Sequence, residues 1–275
     1  MAREKGAGRM NAWDTLTREL DLWGQAGKTA DFWWRDDDAH EASPSLDRLA
    51  ATARGAPIGL AVVPAKLSEN LAQAIDKYAD MAVLQHGYSH QNYANPADAK
   101  IELGPQRPLA HTLGDLATGW ARLELVFGHR ALPVLVPPWN RLAPGLVPLL
   151  PEIGYRGLST YGARSRPEPI PNLAQVNTHV DIMDWRGSRG FLGDDAVLGR
   201  AVDFLSRRRA GQIDADEPTG ILSHHLVHDS GCWTFLERFV ALIEIHGAAR
   251  WRRPADLFRP RPVAPRRTRP VEKNA

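Results

Sequence analysis

The sequence predicts an α/β fold, a barrel of about seven parallel strands, from three observations. Short apolar runs alternate with amphipathic stretches along 275 residues, the pattern of parallel strands joined by helical crossovers. About seven such runs occur, with a helix after most of them, which favours an incomplete barrel over an open sheet. Several runs end in Asp, His or Trp, and strand ends on one rim of an α/β sheet are where ligand and catalytic groups collect.

The elements follow in order. Residues 1–10 form a loose lead-in. Trp13, Leu16, Leu20 and Trp23 recur at three- and four-residue steps, one face of a helix that completes a lead-in unit over 1–28. Strands are expected at 30–35, 58–63, 81–86, 132–136, 157–160, 175–180 and 220–224. Helices are expected at 45–54, 68–79, 108–127, 145–153, 194–209 and 232–245. Together these make a barrel domain over 29–258. Two long loops interrupt it, 88–107 and the Arg- and Pro-rich 161–172; loops of that length in compact domains commonly belong to binding sites. Residues 259–275 read as a basic, Pro- and Arg-rich disordered tail.

The formal net charge of +2 hides an asymmetry. The tail holds six of the 34 basic residues and one of the 32 acidic ones, so residues 1–258 carry 28 basic against 31 acidic, a net of −3. A basic nucleic-acid-binding body is therefore not expected. Cys232 is the single cysteine, which rules out an intramolecular disulfide and fits a reducing cytosol. The N-terminus lacks an apolar leader and no 18-residue apolar run occurs, so a cytoplasmic protein without a membrane partner is expected.

Chemistry concentrates at the strand ends. Asp36, Asp37 and Asp38 follow Asp31-Phe32-Trp33-Trp34-Arg35, and three adjacent carboxylates repel one another unless a cation is present. An acidic turn alone is commonly just solvated, but the aromatic run ahead of this one argues against a wet surface. His86 and His90 follow Met81-Ala82-Val83-Leu84-Gln85, and a four-residue step puts both rings on one face if the segment is helical. One carboxylate and two imidazoles make a three-ligand divalent-metal site with a position left for water, and a second acid remains as base. Three more strand ends join these: Pro137-Pro138-Trp139-Asn140-Arg141, Asp181-Ile182-Met183-Asp184-Trp185, and Ile221-Leu222-Ser223-His224-His225. Five such ends read as one site.

The order acidic pair, His-x-x-x-His, Pro-Pro-aromatic, Asp-Trp, then apolar-x-x-His resembles the polysaccharide deacetylases of carbohydrate esterase family four, the NodB-homology domain, over roughly residues 30–230. The resemblance implies a distorted (β/α) barrel and metal-dependent removal of an N-acetyl or O-acetyl group from a sugar. It implies Asp37 as base and Asp38, His86 and His90 as ligands of a divalent metal, most simply Zn²⁺. Asp36 and Asp37 form the rival register. It further implies His224 as catalytic acid, with His225 as rival, and Asp184-Trp185 as the Asp-Trp motif; Asp184 or another acid is expected to orient the proton donor. Trp139, Asn140, Trp185 and Arg35 are the expected substrate-side residues. Two departures stand out: Val136 occupies the place of an Arg before the Pro-Pro pair, so that Arg35 or Arg141 would have to supply that cation, and the acidic pair lacks its trailing Gly-Pro. The expected partner is an acetylated carbohydrate or another small acylated molecule. A same-fold metal hydrolase of a non-sugar amide or ester, and a catalytically silent carbohydrate-binding barrel, are the alternative readings.

Overall fold

β1 (Ala30–Ala39) runs through the centre of the computed structural model, which describes residues 11–259. To one side lie β2 (Ile58–Val62), β3 (Met81–His86), β4 (Ala131–Val136), β5 (Gly157–Leu158) and β6 (Ala174–Gln175) in that order. To the other lie β8 (Thr219–Ser223) and β7 (Val180–Asp181), and all the pairings are parallel. A short β9 (Ala249–Trp251) adds to the first residues of β1. The two ends of this order, β6 and β7, are parts of one extended stretch that changes partners midway. Val176 and Thr178 donate to the carbonyls of Leu158 and Thr160, whereas His179 and Ile182 donate to those of Gly220 and Leu222. That stretch joins the edges of the sheet, so the expected distorted barrel is present. Its sixth strand is the kinked segment.

Pleat alternation sorts β1 into two faces. Trp33 points into the barrel with Ala61, Leu84, Val134, Val136 and Val176. Phe32 and Trp34 point outward into the main core, which also holds Leu46, Leu49, Phe235 and Phe239 of the surrounding helices. Trp33 leaves no room opposite: a Cβ on Gly220 would lie 2.5 Å from the indole nitrogen. Phe258 closes the lower end with its ring 5.8 Å from that of Trp33, edge to face. Gly157 is required beneath it, since a Cβ there would come within 2.6 Å of Phe258.

The helices are α1 (Ala12–Gln25), α2 (Pro44–Ala53), α3 (Asn70–Ile75), α4 (Leu109–Phe127), α5 (Asp194–Arg209), α6 (Ser230–Ile245) and α7 (Pro254–Leu257). α1 buries the expected stripe of Trp13, Leu16, Leu20 and Trp23. It is tied to α5 by Trp13 donating to Asp194 and by the Arg209–Glu19 ion pair. The helix expected over 145–153 is a 3₁₀ segment, Pro144–Ile153, because Pro148 and Pro151 within it cannot donate α-helical bonds. The helix expected over 68–79 shrinks to α3, whose first turn has no side-chain cap. Among the described residues no helix is long and apolar enough to cross a membrane. The lead-in 1–10 and tail residues 260–275 lie outside the described residues.

Candidate active site

A bulge in β1 shapes the acidic triplet. Asp36 pairs with Leu60 and Ala39 with Val62, so three steps on β1 match two on β2. The extra residue lies at Asp37–Asp38, and Asp38 takes a φ of +74°. Positive φ outside glycine costs of order 1–3 kcal/mol, least for Asp and Asn. The bulge turns Asp38 off the alternation that sends Arg35 and Asp37 inward and Trp34 and Asp36 outward.

Asp38, His86 and His90 come together as the single metal-capable cluster among the described residues. Asp38 Oδ1 lies 3.1 Å from His86 Nε2 and 3.2 Å from His90 Nε2. His86 Nδ1 is 3.0 Å from the Val136 carbonyl, which places a proton on Nδ1 and turns Nε2 toward Asp38. Asp38 Oδ1 is buried with no hydrogen-bond partner of its own. Burial works against the Asp38 carboxylate, but the adjacent imidazoles, His86 foremost, outweigh it and hold the group well below the usual range. Burial, with the neighbouring His86 charge, pulls His90 down to about 4.

The histidine segment is not helical. Gly87 and His90 both take a φ of +56°, and the chain folds back around Glu102, a fully buried residue. The Glu102 carboxylate accepts from Ser89 N at 2.7 Å, Ser89 Oγ at 3.0 Å, Tyr88 N at 3.2 Å and His90 N at 3.3 Å. Only glycine fits at 87, where a Cβ would sit 2.1 Å from Glu102 and 2.6 Å from Pro138. Glu102 was not foreseen from sequence; its one trace there is an acid between Ile101 and Leu103.

Arg35 is fully buried beneath Asp37 and forms a fork with it, Nε to Oδ1 at 2.9 Å and Nη2 to Oδ2 at 3.0 Å. Its remaining donors reach Ser159 Oγ at 2.8 Å, the Ser159 and Thr160 carbonyls, and Asn140 Oδ1 at 2.6 Å. Of the two candidate cations, Arg35 is the one that meets the acid; Arg141 donates to the Lys100 carbonyl. Trp139, also at positive φ, sets its ring 4.4 Å from that of His90. A cleft of about 520 Å³ starts at Asn140 and Thr160 and runs over Leu142, Val147 and Leu158. A separate cavity of about 550 Å³, lined by Trp23, Arg164 and Arg208 among others, shares none of these residues.

On the far side, His224 and His225 point to opposite faces. The His224 ring meets Trp185 edge to face at 4.7 Å. The His225 ring packs behind the strand, its Nδ1 2.5 Å from Asp36 Oδ1. Asp36 therefore lies on the outer face, away from the metal cluster, and the rival register of Asp36 and Asp37 is not what the geometry assembles. Asp184 needs a correction as well. Its carboxylate caps a turn, accepting from Gly187 N and Ser188 N at 2.9 Å each, and does not meet His224. Of the two acids of this strand end, Asp181 is the one in the field of His224; burial pushes its carboxyl up while the His224 charge partly opposes. Asp181 also accepts from Trp185 Nε1 at 2.8 Å. The adjacent Asp-Trp pair misdirected the sequence reading, although Asp181 stands at the strand end itself.

No family model and no curated protein sequence matches the chain. Solved structures do. A CE4 esterase of Streptococcus mutans superposes with a TM-score of 0.54 at 11% identity, over 89% of this chain and 91% of that one. The fold is that of the NodB-like polysaccharide deacetylases. The peptidoglycan deacetylase PdaC of Bacillus subtilis gives 0.51 at 12% identity, over 83% and 90%. A family 4 carbohydrate esterase of Streptomyces lividans, solved with acetate, gives 0.51 at 16% identity, over 78% and 88%. At such identities the likeness establishes the fold alone.

Proposed function

We propose that this protein is a metal-dependent deacetylase that hydrolyses an N-acetyl or O-acetyl group on a sugar or polysaccharide. One observation carries the reading: a buried Asp38 oxygen stands between two imidazole nitrogens without a hydrogen bond of its own, beside an Arg-forked carboxylate. One carboxylate oxygen and two imidazole nitrogens suit a divalent cation, most simply Zn²⁺. When bound, the cation would acidify a water and polarise the acyl carbonyl.

The chain's own residues supply the rest. Asp37, held at both oxygens by Arg35, accepts the proton of the attacking water as general base. As the carbon–oxygen bond forms and the acyl carbon–nitrogen (or ester carbon–oxygen) bond breaks, His224 gives its proton to the departing atom. Asp37 and His224 follow the paired residues Asp36 and Ser223 on adjacent strands, which supports their facing one substrate. Asp181 lends negative charge to the imidazolium, the role the sequence reading gave to Asp184. A backbone N–H near Trp139 would hold the oxyanion, worth about 3 kcal/mol per donor. Trp139 and Trp185 wall the acetyl methyl and offer flat faces to a sugar ring.

Elemental analysis combined with acetate release from N-acetylated chitooligosaccharides, peptidoglycan fragments and acetylated xylan tests the proposal. The expected result is about one zinc per chain and acetate release that a chelator abolishes. Zinc-loaded protein that releases no acetate from any of the three, or full release by metal-free protein, overturns it.

A further inference from the structure

Asp36 takes no part in the proposed chemistry, yet it is completely buried. Its side chain points away from the metal cluster, on the outward face of β1 with Trp34. There it gathers three donors from one short stretch: Ser223 Oγ at 2.5 Å, His225 N at 3.1 Å and His225 Nδ1 at 2.5 Å. That stretch brackets His224. We infer that Asp36 is a positioning residue that sets where the His224 imidazole stands, acting through Ser223 and His225; the inference rests on His224 being the proton donor.

Three observations carry it. First, no side chain orients the His224 ring by hydrogen bonding: its Nδ1 is buried without a partner, and its ring contact is the edge of Trp185. The position of the ring is then decided by the backbone that carries it. Second, that backbone is irregular at this point, with His224 at φ −145° and ψ 80° where β8 gives way to a 3₁₀ turn, His225–Val227. Sheet pairing has ended, so something else must hold the chain. Third, His224 N donates to His228 Nε2 at 3.1 Å, and the groups that hold the residues on either side come from the neighbouring strand at matched register, Asp36 opposite Ser223. Trp34 Nε1 donates to Ser223 Oγ at 2.8 Å from the same face, locking the hydroxyl proton toward Asp36. Asp36 thus ties the segment bearing the acid to the strand that bears the base.

The test compares Asp36→Asn, Asp36→Ala and Ser223→Ala on two substrates, N-acetylchitotetraose and 4-nitrophenyl acetate, with zinc content measured in each. A displaced acid harms only reactions whose leaving group needs a proton. The expected result is wild-type zinc and a KM near wild type on the chitotetraose. There kcat should fall on the order of 10²-fold in Asp36→Ala, the cost of misplacing a catalytic group by about 1 Å, and less in the other two. Aryl acetate turnover should change by less than about twofold in all three, because a phenolate leaves unprotonated. Equal losses on both substrates, a raised KM at unchanged kcat, or lost zinc would overturn the positioning role. If the Asp36 variants do not fold, Ser223→Ala alone decides by the same split. Should the wild type turn over neither substrate, the deacetylase reading fails by itself. The crystal structure of Ser223→Ala then judges the anchor: a His224 ring unmoved against Trp185 refutes it.

Discussion

Replacing Glu102 by alanine should weaken zinc binding without touching a ligand. Four donors lose their acceptor: the backbone N–H groups of Tyr88, Ser89 and His90 and the Ser89 hydroxyl. Hydrogen bonds to a charged acceptor contribute about 1.5–3 kcal/mol each. The donors are only half-buried and water can reach them once the side chain is gone, so most of that is recovered. What is not recovered is order. Gly87 and His90 hold positive φ, and with the carboxylate gone only the bonds at Gly87 and the Tyr88 carbonyl are left to set that conformation before metal arrives, with none at Ser89 or His90. Groups that orient a metal ligand without binding the metal commonly change affinity by about 10–100-fold, which is about 1.4–2.8 kcal/mol. Glu102→Gln keeps one acceptor oxygen and should fall between.

Competition against a chromogenic chelator reads the affinity directly, and thermal unfolding reads it by linkage. At saturating zinc a 100-fold weaker site forfeits about 2.7 kcal/mol of ligand stabilisation, or roughly 5–10 °C for a domain of this size. In excess chelator the two proteins should unfold much closer together. A Glu102→Ala protein with wild-type circular dichroism and an unchanged zinc dissociation constant would refute the view that this carboxylate builds the His86–His90 loop.

Further expectations concern the triplet, the acid loop and the barrel floor. Asp38→Asn, His86→Ala and His90→Ala should each lose stoichiometric zinc, whereas Asp37→Asn should keep zinc and lose turnover; elemental analysis beside an acetate assay checks both. His228 is half-buried and accepts from His224 N through Nε2 at 3.1 Å, and desolvation holds it from 6.5 down to about 4. An imidazolium could not accept that bond. Its stabilisation is therefore complete above pH 6.5 and is lost as pH falls toward 4, so metal-free protein should melt progressively lower across that window and His228→Asn should flatten the slope. Phe258→Ala should cost about 3–5 kcal/mol in denaturant titration, with zinc content unchanged, since the ring closes the end of the barrel away from the metal.

Much of the barrel was legible because its signals are local. Apolar runs of five or six residues, each followed by an amphipathic stretch, marked β1, β2, β3, β4 and β8 to within a few residues. The sixth strand was expected as one continuous piece; its change of partner between Thr178 and His179 depends on two neighbours far away in sequence. β9 and α7 are too short to carry periodicity. Of the site, the metal-capable trio was legible from residue type and strand-end position. Glu102 and Asp181 were not, because their importance lies in which backbone N–H groups and which imidazole they meet. Asp184 read as a site residue because it precedes Trp185, yet in space its carboxylate serves the turn that follows it.

Four consecutive residues of β1 divide the work by side-chain parity. Arg35 and Asp37 share the inward face and fork together. Asp36, between them, faces outward and meets Ser223 and His225. Regular alternation would send Asp38 outward as well, leaving the inward face one carboxylate short. The bulge is what turns it back toward His86 and His90, at the expense of a positive φ. The same parity explains how the chain does without an Arg before its Pro-Pro pair. A cation two residues ahead of Asp37 lies on that residue's own face of the strand, so Arg35 reaches Asp37 with no help from β4. Val136 is then free to stay apolar inside the barrel. Moving the cation by one residue in either direction, to position 34 or 36, would place it on the outward face, away from Asp37. The spacing of Arg35 from Asp37 and the bulge at Asp38 thus work as one device, and the position of the bulge, more than the number of acids, decides which carboxylate faces His86 and His90.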